Sequence, residues 1–222
     1  MTFDQLMSQR WSCRAYDPEP VPDEVLDRVL ATAQRTASWC NTQPWQVHLL
    51  SGDAAEWLGK ELSAHVLSGG AGVADLPIPE RYSGVYDARR REAGYGLYES
   101  LGIERSDFAA RTEQMLKNFS FFGAPHVLII TTDREQGTYG AIDCGGYVAN
   151  LMNAALEQGL GSIAQGAIAM HSGKVRELLD IPDDRAVVCA VALGRPDEQH
   201  PVNSFRTTRA DLDGVVVRVE RP

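Results

Sequence analysis

The chain has no apolar stretch long enough to cross a membrane, and its opening MTFDQLMSQR has no apolar core of a secretion signal. A membrane-spanning role is therefore not expected, and a cytoplasmic location is. It also has no positive excess, since 30 acidic against 21 basic residues give a net charge of −9. Nucleic acid and anionic membranes bind basic faces that displace counterions, so neither is an expected partner. The four cysteines, Cys13, Cys40, Cys144 and Cys189, include no CxxC pair, and the five histidines form no HxH or HxxxH pattern. Reduced, mostly buried thiols and no metal site follow from that spacing. The GxSxG elbow of a serine hydrolase is missing too, as are internal repeats and low-complexity runs. What is left is a chain of 222 residues with 44% apolar and 23% charged residues, the composition and length of one globular domain, here 1–222.

Periodicity divides that domain into helices and strands in mixed order. Phe3, Leu6 and Met7 mark a short helix over 3–9, and Pro22 opens a second whose stripe is Leu26, Val29, Leu30 and Ala33. A strand over 46–51 and a helix over 53–67 follow, the latter begun by Asp53 and Glu56. Residues 68–105 are irregular, with a helix expected in the middle at 85–101 and the run Arg89-Arg90-Arg91 inside it. An insertion of that length reads as a lid or a surface excursion. Ser106 is expected to cap a helix that stops at Gly123-Ala124-Pro125. A strand over 126–132, a helix from Asp143 to Gly159, a helix over 172–180 and a strand over 186–193 complete the body. The arm at 202–222 ends in Val215-Val216-Val217 and Val219, an apolar run that needs a sheet to join. The mixed order argues for α+β.

Two arginines and a serine alternate in Arg10-Trp11-Ser12-Cys13-Arg14. In an extended segment residues 10, 12 and 14 share one face, with Trp11 and Cys13 on the other, so three donors converge on one anion. Taken alone, five residues leave open an ordinary solvated pair of surface arginines. Gly159-Leu160-Gly161-Ser162-Ile163-Ala164 fits a dinucleotide fingerprint in letters only. That motif requires a strand before it and a helix after it, and here the order is reversed. The remaining polar groups suit a ligand with an anionic end and a flat, partly polar body: the Arg10 cluster, the loop Ser38 to Trp45, the turn Ile163 to Gly166, and Arg206 with Arg209. Flavin mononucleotide (FMN) is such a ligand.

In sequence order these motifs resemble the FMN-dependent nitroreductase family. The resemblance rests on Arg10-x-Ser12-x-Arg14, Ser38-x-x-Asn41-x-Gln43-Pro44-Trp45, Gly159-Leu160-Gly161 leading to Ile163-Ala164-Gln165-Gly166, the run Val187 to Pro196, and Arg209-x-x-Leu212-x-x-Val215. It implies a mixed, mainly antiparallel sheet flanked by helices, with a C-terminal strand exchanged in a homodimer and FMN bound at the subunit interface. By the same resemblance Arg10, Ser12, Arg14 and Arg209 would hold the phosphate and ribityl chain, with Trp11 and Arg206 beside them. Ser38, Trp39 and Asn41 would reach the partner's flavin, and Gln165 and Gly166 would lie at the ring. The implied activity is ping-pong reduction of nitroaromatic or quinone substrates by NAD(P)H, with no side chain named as catalytic acid or base. Relatives with other flavin chemistry, such as reductive dehalogenation or flavin destruction, and a non-catalytic flavin-binding module are the alternatives. Two departures stand out: Ala37-Ser38 where many members have Pro-Ser, and the bulky Trp39.

Overall fold

The computed structural model describes residues 1–221. Among the described residues eight α-helices run in chain order: α1 (Phe3–Gln9), α2 (Asp23–Ala33), α3 (Asp53–Leu67), α4 (Gly84–Ser100), α5 (Phe108–Leu116), α6 (Gly137–Glu157), α7 (Gly166–Ala169) and α8 (Ser172–Leu179). The four strands are β1 (Trp45–Ser51), β2 (His126–Asp133), β3 (Gly161–Gln165) and β4 (Arg185–Gly194). They lie side by side in the order β1-β2-β4-β3, and each neighbouring pair is antiparallel. A parallel contribution comes from the single bridge Ser12–Ser162, outside the named strands.

The central strands β2 and β4 carry the apolar runs 127–130 and 186–193 because both faces of the sheet are covered. Alternation then sorts their side chains. Val127, Ile129, Ala190 and Ala192 point to the layer holding Leu58 and Leu62 of α3, Phe121, Ile168 and Val175. Leu128, Ile130, Val191 and Leu193 point the other way, to Leu26 and Val29 of α2 and Tyr147 and Leu151 of α6. Leu58 and Leu62 are wholly buried, so truncating either to alanine would remove about 2–5 kcal/mol.

Three boundaries differ from the sequence reading. Helix α6 begins at Gly137, not Asp143, because Gly140 lets its first turn pack where a Cβ would sit 2.6 Å from the Gln136 and Thr132 side chains. Its early glycines hid that turn from any periodicity argument. Helix α5 is capped by Asp107 rather than Ser106, with the Asp107 carboxylate accepting from the Ala110 N–H at 2.9 Å, and it ends at Leu116, short of Gly123, because Phe121 and Phe122 turn the chain with positive φ. The tail after Phe205 forms only a short turn at Leu212–Gly214, and Val215, Val216, Val217 and Val219 are exposed. Among the described residues of one copy they pair with no strand. Among the described residues no helix is long and apolar enough to cross a membrane.

Candidate functional site

Helix α1 starts with a reciprocal cap between Thr2 and Gln5 and ends at Arg10, whose N–H donates to the Leu6 carbonyl. The chain then runs extended along β3, with the Cys13 N–H donating to the Ser162 carbonyl at 3.1 Å. Cys13 is fully buried against Gly161, where an added Cβ would lie 2.7 Å from the thiol sulfur. That inward anchor turns Arg10, Ser12 and Arg14 outward, as the alternation predicts. Trp11 departs from the prediction: its ring forms part of the same cavity wall, because Arg206 covers it at 4.6 Å.

The tail closes this cavity through Asn203. Its buried amide accepts from the Arg14 N–H at 2.8 Å and donates to the Ala15 and Asp197 carbonyls, each at 2.8 Å. Arg10, Trp11, Ser12 and Arg14 thereby meet Arg206 and Arg209 around a space of about 250 Å³. Arg206 is oriented by the Asn203 carbonyl at 2.6 Å and Arg209 by the Thr207 hydroxyl at 2.7 Å. None of Arg10, Arg14, Arg206 and Arg209 forms an ion pair with a carboxylate among the described residues. Burial lowers the pKa of Arg10, and nearby Arg209 lowers it further. Burial likewise lowers that of Arg14. An arginine still keeps its proton under such conditions, so the cavity gathers uncompensated positive charge in a net acidic chain. An anion relieves that repulsion.

Gln165 and Gly166 lie at the junction of β3 and α7. Gln165 is buried, donates through Nε2 to the Asn118 carbonyl at 2.8 Å, and leaves its Oε1 without a partner among the described residues. A buried acceptor without a donor is costly and marks where a ligand group fits. At Gly166 an added Cβ would meet nothing within 4 Å, so the backbone there is open.

Ser38, Trp39 and Asn41 do not join this cavity within one chain. They form an exposed turn between α2 and β1, in which Cys40, Asn41 and Gln43 all have positive φ (47°, 56° and 47°). Such angles are strained for residues with a Cβ and persist only where neighbouring bonds enforce them. Here Ser38 Oγ accepts from the Gln43 N–H at 2.9 Å, and the Trp39 N–H donates to the Asp143 carboxylate at 3.1 and 3.2 Å. The Trp39 ring leans on Tyr139 with centroids 4.3 Å apart.

A family model described as the nitroreductase family matches residues 7–195, from α1 to the end of the sheet. The chain belongs to the nitroreductase family. A 4-nitrobenzoate reductase from Nocardioides sp. (strain LMS-CY) is 34% identical to it over 215 residues, covering 95% of this chain and 87% of that protein. The crystal structure of the FMN and NADPH-dependent nitroreductase NfnB from Sphigopyxis sp. strain HMH has a TM-score of 0.95 at 32% identity, with 100% of both chains covered. FMN-dependent NfnB from Mycobacterium smegmatis, crystallised in complex with NADPH, has a TM-score of 0.92 at 30% identity, covering 98% of this chain and 97% of that one.

Two residues of this nitroreductase-family chain escaped the sequence reading: Asn203, which clamps the tail to the Arg10–Arg14 segment, and Asp143, which fastens the Trp39 turn; Asn118, which the family resemblance aligns loosely with a flavin contact, serves Gln165 as a carbonyl acceptor. Asn203 and Asp143 act across long sequence separations, so no local pattern marks them.

Proposed function

We propose that this nitroreductase-family chain is an FMN-dependent oxidoreductase that uses NAD(P)H to reduce nitroaromatic or quinone compounds in a ping-pong sequence. The observation that carries the reading is the set of four guanidiniums, Arg10, Arg14, Arg206 and Arg209, gathered around one cavity without a counter-charge. That donor set fits a phosphate monoester, and the Ser12 hydroxyl beside it suits a ribityl chain. The orphaned Oε1 of Gln165 and the open backbone at Gly166 suit a polar heterocycle. When bound, FMN supplies two-electron redox chemistry, which no side chain of this chain can provide.

The protein's own part is then binding and orientation. The arginines fix the phosphate end, Trp11 stiffens their wall by stacking under Arg206, and Gln165 sets the ring end. No side chain is assigned as a general acid or base. The chain forms one domain in which 68–105 serves as the lid that selects substrate, and it works in the cytoplasm as a homodimer. Ser38, Trp39 and Asn41 reach the site of the second copy, which accounts for a strained and exposed turn with no role in its own cavity. Of the arm at 202–222, residues 202–209 stay on their own chain's cavity; the part beyond Arg209 crosses to the second copy, where its valines find the strand partner they lack at home, and position 222 lies outside the described residues.

Purified protein should be yellow, lose its flavin absorbance under anaerobic NADPH or NADH, and regain it on adding 4-nitrobenzoate or a quinone. A colourless protein that takes up no added FMN overturns the reading. Bound FMN that neither nucleotide reduces makes the protein a flavin-binding module instead.

A further inference from the structure

The run Arg89-Arg90-Arg91 on α4 is not uniform. Arg90 and Arg91 both turn to Asp87, at 2.9 and 2.7 Å, and share its single negative charge. Arg89 makes no ion pair among the described residues and shares a helix face with Glu92, Ala93 and Gly96. That face is docked on the tail. Phe205 fills the notch at Gly96, where an added Cβ would lie 2.5 Å from its ring, and the Thr208 hydroxyl donates to Glu92 at 2.8 Å. The docking sets Arg89 opposite the outer side of the segment 205–209, whose inner side lines the cavity of Arg10 and Arg14.

A second space of about 240 Å³ lies there, with Arg89, Arg206 and Arg209 around it and Ala93 and Phe205 as its apolar part. Glu92 is the carboxylate on its wall, and it is already engaged by Thr208. Three guanidiniums against one carboxylate favour a doubly charged anion. Three planar donor forks match a phosphate monoester better than a carboxylate, which two satisfy. The volume is below the roughly 300–1,000 Å³ of a site for a whole drug-sized ligand, so it holds a phosphoryl group with part of its sugar. Arg206 and Arg209 border both spaces; Nη1 of each is taken by chain oxygens, and the Nε and Nη2 N–H groups that remain allow each to face two phosphates.

We propose that this second space is a subsite for the 2′-phosphate of NADPH, with Arg89 as the residue that makes the protein prefer NADPH to NADH. The inference rests on the reading of the chain as an NAD(P)H oxidoreductase. Free phosphate has the same chemistry, so the test separates the two sources.

The variant is Arg89→Ala, at an exposed helix position where side-chain loss leaves the core untouched. Steady-state turnover should show KM for NADPH raised about tenfold, as expected for one lost charge-assisted contact, with KM for NADH moved less than twofold and flavin content unchanged. Arg89→Lys, which keeps the charge but not the fork, should fall between. Calorimetric titration provides a readout independent of turnover: 2′,5′-ADP should bind the wild-type protein at least tenfold more tightly than 5′-AMP, and Arg89→Ala should close that gap. Equal KM changes for both nucleotides, or a gap that survives in Arg89→Ala, overturns the assignment. So does inorganic phosphate competing as well as 2′,5′-ADP, which makes the space a general anion site, or a KM change confined to a carboxylate-bearing nitro substrate. A protein that shows the 2′,5′-ADP gap yet oxidises neither nucleotide keeps the subsite and loses the oxidoreductase reading.

Discussion

Two arginine clusters in this molecule follow opposite rules. On one side, Arg134 and Arg176 converge on Asp75, whose carboxylate side chain is only 4% exposed, and Arg176 also meets Asp183 at 2.6 Å. Asp75 further accepts from the Val187 N–H at 2.9 Å, tying the start of the 68–105 segment to β4. Every positive charge there has a negative partner, and the cluster is structural. On the other side, Arg10, Arg14, Arg206 and Arg209 crowd one cavity with no carboxylate between them. The residue type is the same in both places. What separates them is the counter-charge, supplied by the chain in the first cluster and, on the proposed function, by a ligand in the second.

The sharpest way to break that contrast is Asp75→Ala. It leaves two arginines facing each other and a backbone N–H unpaired, so the protein should lose about 3 kcal/mol. At this chain length that is a fall of roughly 6–12 °C in Tm, while FMN bound per folded molecule stays near wild type. Thermal melts with flavin quantitation check it. A variant that keeps its Tm but loses flavin would put Asp75 in the site and end the distinction.

Arg14→Ala and Arg209→Ala should do the reverse. Each removes a charge-assisted contact worth about 1.5–3 kcal/mol, which raises the Kd for FMN roughly 10- to 150-fold. Relief of like-charge repulsion should hold the Tm of the flavin-free protein level or lift it slightly. Fluorescence titration of FMN into flavin-free protein measures the first effect. Unchanged affinity in both variants would remove these arginines from the phosphate site.

His126 is a third solution, a buried ionisable group that avoids charge altogether. Its Nε2 accepts from the Val21 N–H at 2.8 Å, so Nδ1 carries the proton it gives to Ser51 Oγ at 2.8 Å. Burial holds its pKa below the ordinary 6.5, against a smaller opposing pull from Asp23. A folded pKa below the unfolded one means that its contribution is complete above pH 6.5 and is lost as pH falls through the folded value. Melts of the flavin-free protein should therefore show stability dropping by less than about 1.4 kcal/mol per pH unit below that point. The slope should flatten in His126→Asn; an unchanged slope would assign it to other groups.

The sequence was most legible where one physical signal dominated. Strands β2 and β4 were read to within a residue or two because a doubly covered strand is continuously apolar. The Arg10–Arg14 segment announced its outward face because Cys13, the apolar residue between its polar ones, had to go inward. Helix α6 was misplaced at its start because Gly137, Gly140 and their neighbours carry no apolar stripe, and their fit depends on close packing against Gln136 and Thr132 just upstream. The strained turn was illegible for a related reason: Asn41 is of a type that tolerates positive φ, but Cys40 and Gln43 are not, and one of the bonds that hold the turn comes from Asp143, far along the chain. Asp75 in an irregular loop looked like any other surface acid. Partner identity decided its role, and a sequence does not print partners.

The valines at 215–217 and 219 make the protein's robustness a question of quantity. The run is 86% exposed at Val217, and on the proposed dimer, where a second copy covers it, the folding midpoint is tied to mass action. Diluted samples should melt earlier than concentrated ones, shed flavin sooner and be cut first by proteases at the arm. How much of the protein is present then governs how well each molecule holds its shape.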